Sequence, residues 1–249
     1  MYRGDWMYFD MTATTKPTDL AIDSFVDINM NYWHNPSATM SEGGVTARRL
    51  IEQSREKIAG LIGVEPEQII FTSGATEGAN MIIQGFIPRG REENYCIICS
   101  PIEHPAVLET VQYMNHCGVD VITLDVDGFG NVDLQQLKEY LSSISFNKEV
   151  LVCIMDSNNE IGTLQKTMEI EEIEHRYDGV YLFSDMTQSY AHADIIEADV
   201  LGYDFACASA QKFGGLKGVG FVYVRDPSLL TPLIHGGGQE KGQPLFGAH

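Results

Sequence analysis

The stretch Gln68-Ile-Ile-Phe-Thr72, continued by Ser73-Gly-Ala-Thr-Glu-Gly78 and then by Met81, Ile82, Ile83 and Phe86, decides how the rest of the chain is read. Its first residues are β-rich, and its last dozen set apolar side chains along one side of a helix. Between the two, Gly74 lets the backbone turn tightly. The amides of Ala75 and Thr76 then fall at a helix N-terminus, where N–H groups lack partners within the helix and the dipole favours an anion. The Thr76 hydroxyl can add a bond. The Gly-x4-Gly-Lys-Ser/Thr pattern of a nucleotide loop is absent, so a monophosphate is the expected anion. An ordinary strand-to-helix turn with a hydroxyl cap accounts for the same residues without any ligand.

The same strand-then-helix alternation recurs along the chain. Further strands are predicted at Tyr95–Cys99, Val119–Leu124, Val150–Met155, Val180–Phe183, Phe205–Cys207 and Gly220–Val224. Helical periodicity runs over Val45–Ile62, with Arg48, Glu52, Arg55 and Glu56 on its polar side and Gly63 as its stop. It returns from Pro105 to Gly118, from Asp133, where Gln136 suggests a capping box, and over Met168–Tyr177. Strands separated by helices require crossovers, so the predicted fold is α/β with a seven-stranded, mostly parallel sheet between helices. Asp127-Gly-Phe-Gly-Asn131 reads as a turn, Pro88–Asn94 and Ser142–Lys148 as surface connections.

Charge and cysteine usage narrow the function. Sixteen Lys and Arg stand against 35 Asp and Glu, a net charge of −19, which repels phosphate backbones and anionic lipid. Neither nucleic acid nor a membrane is an expected partner. No apolar run reaches the roughly 18 residues of a membrane span, and the N-terminus lacks a leader pattern, so a cytoplasmic location is expected. The five cysteines, Cys96, Cys99, Cys117, Cys153 and Cys207, form no disulfide framework. Cys96 and Cys99 point to opposite faces of a strand, no zinc set is completed, and no metal is expected.

Ligands of an open parallel sheet bind beyond the carboxyl ends of its strands. Five strand ends carry unusual residues: the Ala75–Thr76 turn; His104 after the second strand; Asp156-Ser-Asn158-Asn159 after the fourth; Asp185 and Gln188 after the fifth; and Ser209-Ala-Gln211-Lys212 after the sixth. A histidine at a helix start tends to stay uncharged and can stack on a flat ring. An aspartate at the mouth of the sheet needs a cationic partner, such as a protonated ring nitrogen. A lysine flanked by glycines near an anion cradle can act as a nucleophilic amine. Each residue singly also reads as a cap, a turn or an exposed loop, and the Ser-x-x-Lys of penicillin-recognising enzymes lacks its companion motifs. Together they ask for a heteroaromatic ring with a phosphate arm, a protonatable nitrogen and a carbonyl. Pyridoxal 5'-phosphate (PLP) meets those demands.

The order of Thr-Ser-Gly-Ala-Thr-Glu (72–77), Glu-His-Pro-Ala-Val-Leu (103–108), Asn-Asn-Glu-Ile-Gly (158–162), Asp-x-x-Gln-Ser (185–189), Ser-Ala-x-Lys-Phe-x-Gly-x-Lys-Gly (209–218) and His-Gly-Gly-Gly-Gln-Glu (235–240) closely resembles the NifS/IscS-type cysteine desulfurases. These are class V aminotransferases with the fold-type-I PLP architecture. The resemblance implies that Lys212 bonds the cofactor and shuttles the substrate Cα proton, that Asp185 pairs with the pyridine nitrogen, and that His104 stacks on the ring. It places Asn159 and Gln188 by the ring hydroxyl, and Ala75, Thr76 and Ser209 at the phosphate. Gln211 stands where the family usually has a phosphate-binding histidine. The implied reaction takes sulfur from L-cysteine or a similar amino acid, leaving alanine and an enzyme persulfide. A sulfur-acceptor or scaffold protein, often for iron–sulfur assembly, is the implied recipient. Another class V enzyme, such as a selenocysteine lyase, remains open, as does a non-catalytic PLP-binding remnant working through a full-length partner.

By the same resemblance, residues 1–15 are the N-terminal segment of the small domain and 16–249 the PLP-binding large domain. The C-terminal small domain, with the persulfide cysteine and the substrate-carboxylate arginine, is expected to be absent. None of the five cysteines matches the persulfide position, and a homodimer or mixed dimer is expected.

Overall fold

Alternate residues of a strand face opposite layers. Ile97, Leu151, Phe183 and Phe205 join one buried cluster, whereas Ile98, Val152, Leu182 and Ala206 join a second. Strands buried on both faces read as the near-continuous apolar runs seen in the sequence. The computed structural model describes residues 7–144, 148–192 and 202–235. Among these, the strands are β1 (Ile69–Thr72), β2 (Tyr95–Cys99), β3 (Asp120–Thr123), β4 (Glu149–Cys153), β5 (Val180–Asp185), β6 (Phe205–Ser209) and β7 (Gly220–Val224). They form one sheet in the order β1-β7-β6-β5-β4-β2-β3. The pairings β6-β5-β4-β2-β3 are parallel, and β7 runs antiparallel to both β1 and β6. The expected sheet is therefore present, with its one reversed strand now located.

The helices are α1 (Asp19–Asn31), α2 (Glu42–Ile62), α3 (Ala75–Phe86), α4 (Pro105–His116), α5 (Leu134–Ser143) and α6 (Thr167–Glu174). Side chains of α3 and α4 complete the first cluster, and those of α2, α5 and α6 complete the second. Gly63 ends α2 in the left-handed conformation at φ 69°, as its position predicted. Cys96 and Cys99 belong to different clusters, so their side chains do face apart.

Three local expectations need correction, and one helix was not expected. Arg55, placed on the polar side of α2, is only 1% exposed: its guanidinium donates to the Ile69 carbonyl and lies 4.8 Å from the Phe71 ring centroid. A long cation can satisfy the backbone at the sheet edge while its stem packs against the core. The capping box at α5 does not close. Asp133 accepts from the Gln135 and Gln136 amides, but the Gln136 side chain turns to the Asp125 backbone and carboxylate. Helix α6 ends at Glu174, short of Tyr177. Helix α1 escaped the periodicity reading altogether. It is capped by Thr18 and buries no residue, leaving Leu20, Phe25, Val26 and Met30 exposed. Part of the surface connection predicted at Ser142–Lys148 and the Gly236–Glu240 portion of the last motif lie outside the described residues. Among those described, no helix is long and apolar enough to cross a membrane.

Candidate active site

Parallel strands deliver their C-terminal ends to one rim of the sheet, and β7, running the other way, brings its first residue to the same rim. Gly220 there pairs with Thr72 on one side and Ser209 on the other. A Cβ on Gly220 would stand 2.6 Å from Gly74 Cα and 2.6 Å from the Ala208 carbonyl oxygen. Only glycine allows this approach, which brings the start of α3 against the end of β6. A Cβ on Gly74 would in turn stand 3.1 Å from Ser209 Oγ, inside the concavity formed there.

That contact changes the predicted anion cradle. The Ala75 amide, expected to be free, donates to Ser209 Oγ at 2.8 Å. A hydroxyl that accepts still has its own proton to donate. The donors left at the N-terminus of α3 are thus the Ser209 and Thr76 hydroxyls and the Thr76 amide, which has no partner among the described residues. Two hydroxyls and an amide at a helix start suit a phosphate.

The nine residues to which the resemblance assigns a role all border one cavity of about 260 Å³. Ala75, Thr76 and Ser209 stand at one end of this set, with Gln211 and Lys212 on the 3-10 turn that follows β6. His104 is the N-cap of α4, and its Nδ1 accepts from the Ala106 amide at 3.0 Å. The helix cap is thus present, and the same side chain borders the cavity. Asp185 is buried at the end of β5, with Oδ1 accepting from the Thr187 amide at 3.0 Å. Gln188 and Asn159 complete the set. Asn158 stays out of the cavity and builds the turn instead: its side-chain oxygen accepts from the Glu160 and Ile161 amides, and its amide donates to the Ile102 carbonyl.

The amine of Lys212 donates to the Thr12 and Ala13 carbonyls at 2.7 and 2.8 Å. Burial lowers its pKa below the ordinary lysine range, against the opposing pull of the Asp185 and Asp10 carboxylates. The lowering favours the uncharged, nucleophilic amine. None of the five cysteines borders the cavity. Burial pushes Cys96 and Cys99 up to about 11 and raises Cys153 and Cys207 well above the usual thiol range, which makes them poor nucleophiles.

Sequence reasoning missed several groups at this site. Ala13, Met155, Ser157 and Thr187 also border the cavity, and Thr12 accepts from both Lys212 and the Gln188 side chain. A backbone carbonyl has no side-chain signature, so Thr12 was not legible. Glu103, buried beside the rim, was legible only as the neighbour of His104.

The donor set suits PLP: an amine for its aldehyde, a buried carboxylate for its ring nitrogen, an imidazole at the wall, and hydroxyls at a helix start for its phosphate. Comparison with known proteins agrees. The chain is 38% identical over 237 residues to "Cysteine desulfurase IscS" of Dictyoglomus turgidum, covering 95% of this chain and 58% of that protein. Among solved structures, "NIFS-LIKE PROTEIN" superposes with a TM-score of 0.89 at 36% identity, covering 97% of this chain and 64% of the other. "SspA in complex with cysteine" superposes with a TM-score of 0.88 at 37% identity, covering 97% and 67%. The chain thus spans somewhat under two thirds of the Dictyoglomus relative's length. Residues 7–244 match the family Aminotransferase class-V. Rim chemistry, sheet topology and this match agree that the chain belongs to the class V aminotransferase family, whose members use PLP.

Proposed function

We propose that this chain is the PLP-binding part of a cysteine desulfurase, which takes sulfur from L-cysteine and leaves alanine. The observation that carries this reading is the convergence of Lys212, Asp185, His104 and the start of α3 on one cavity. The relatives named cysteine desulfurase, and the neighbour solved with cysteine, support the substrate.

Bound PLP supplies an electron sink that weakens bonds at the Cα and Cβ of an amino acid. In this reading the residues divide the remaining work. Lys212 would hold the aldehyde carbon through Nζ, with release of water, and would carry the Cα proton of the substrate. Asp185 would hold a proton on the pyridine nitrogen. His104 would lie against the ring, Asn159 and Gln188 would bond the ring hydroxyl, and Thr76, Ser209 and Gln211 would hold the phosphate. Ala75 acts at one remove, its amide orienting the Ser209 hydroxyl. The balanced outcome is L-cysteine plus an acceptor thiol giving alanine plus a persulfide on that acceptor. With no cysteine at the cavity, the acceptor thiol comes from outside the residues that border it.

On this reading residues 1–15 belong with a small domain and 16–249 form the large one. The protein works in the cytoplasm as a homodimer or mixed dimer, feeding a sulfur acceptor such as an iron–sulfur scaffold. The test is PLP uptake, followed as the visible absorbance of the lysine-bound cofactor, in the native chain and in Lys212→Ala. Uptake by the native chain alone supports the proposal, and identical spectra overturn it. Alanine release from L-cysteine, against selenocysteine and cysteine sulfinate, then separates a desulfurase from a related lyase.

A further inference from the structure

We infer that Glu103 is a positioning residue of this site: one oxygen of its buried carboxyl ties the turn that carries His104 to the end of β4, and so sets the imidazole at the cavity wall. The inference rests on the PLP reading and deepens it, because Glu103 does not itself border the cavity. Its Oε1 accepts from the Ser100 hydroxyl at 2.6 Å and from the Met155 amide at 2.8 Å. Ser100 follows β2, Met155 follows β4 and borders the cavity, and His104 is the next residue in the chain. A single acceptor therefore holds two strand ends and the cap of α4 in one arrangement. A buried acceptor that satisfies two donors fixes geometry more firmly than packing alone, because losing it strands both.

The titratable groups facing Glu103 are Asp185 from β5, Cys99 from β2, Cys153 from β4 and Cys207 from β6. None of them can neutralise a second anion. Burial pushes the Glu103 carboxyl up to about 8, with Asp185 adding to the rise and the two hydrogen bonds opposing it. Near neutral pH, Glu103 accordingly serves as an uncharged acceptor and adds no second negative charge beside the buried Asp185 carboxylate.

Two variants test this. Glu103→Gln keeps a carbonyl oxygen for both donors and removes the ionisation, whereas Glu103→Ala strands the Ser100 hydroxyl and the Met155 amide. At neutral pH, PLP affinity is expected to stay within about twofold of native in Glu103→Gln and to fall about tenfold or more in Glu103→Ala. The nitrogen NMR signal of His104 Nδ1 should keep its position in the first variant and shift in the second. As pH rises through about 8, the native His104 signal should show a step and native affinity should fall about threefold relative to Glu103→Gln, which stays flat. The inference is overturned if Glu103→Gln binds as weakly as Glu103→Ala, if Glu103→Ala matches the native chain, or if Glu103→Gln shows the same pH step. Should Glu103→Ala not fold, the native and Glu103→Gln pH series decide. Absence of PLP uptake in every protein counts against the proposed function, while the His104 signals still decide the role of Glu103.

Discussion

The rim of the sheet and the N-terminal region of the chain are built on opposite principles. At the rim, residues far apart in sequence are locked by hydrogen bonds: Ala75 to Ser209, Glu103 to Met155, Gln165 to Gly130 and Val132. The N-terminal region joins this frame through short backbone contacts. Thr15 bonds the Gln211 carbonyl, Thr18 bonds that of Gly214, and the Thr12 and Ala13 carbonyls receive Lys212. Beyond Thr18, α1 buries nothing, and Leu20 and Met30 are 76% and 71% exposed. The difference teaches that this site gains its geometry from strand ends set by the core, while the N-terminal region lends it acceptors without sharing that core.

The largest effect is expected at the amine, where Lys212→Ala should abolish visible PLP uptake while a denaturant melt stays near native, since a partly exposed loop side chain carries little packing. Next comes the core beneath the rim. Leu182 is 1% exposed, and Leu182→Ala should cost about 2–5 kcal/mol in the same melt. Gly220→Ala forces a methyl against Gly74 and should cost about 1–3 kcal/mol, with a loss of PLP affinity because the cradle opens.

A smaller, graded effect comes with pH. The unfolded chain releases the Glu103 proton near 4.5, but the folded chain holds it until about 8. Between those values the folded state binds more protons, so stability falls as pH rises, and it levels off above them. Glu174, pushed up to about 7 by burial, adds in the same direction over the lower part of that window. Melts of the native chain and Glu103→Gln across this range should converge at the acid end and separate toward the alkaline end. The smallest effect belongs to α1. Phe25 is 54% exposed, and Phe25→Ala should change stability by no more than about 0.5 kcal/mol. A cost there matching that of Leu182→Ala would erase the contrast between the two regions.

How far the residues alone could be read obeys the same divide. The inner strands were legible because a strand covered on both faces must be apolar throughout, and glycines or polar residues mark where it stops; the edge strand β3, exposed at Asp120 and Thr123, lacks that cover. The residues that border the cavity were legible where they sit just past strand ends, at which the chain has to leave the core. Arg55 was misread because periodicity assigns a charged side chain to the solvent and takes no account of a backbone carbonyl waiting 14 residues away. Helix α1 was missed although its segment carries Leu20, Ile22, Phe25, Val26 and Ile28, and none of these is buried against the sheet.

From the sequence by itself came the α/β class and the seven strands, since these depend on local periodicity, and the residues just past each strand end, taken with the family resemblance, pointed to nine of the thirteen residues that border the cavity. Tertiary structure alone decided that β7 runs backward, that Gly220 meets Gly74, that Ser209 takes the Ala75 amide and that Glu103 joins two strand ends. Those facts depend on which strands lie side by side and on which distant donor finds an acceptor once water has been excluded. No local pattern carries that information.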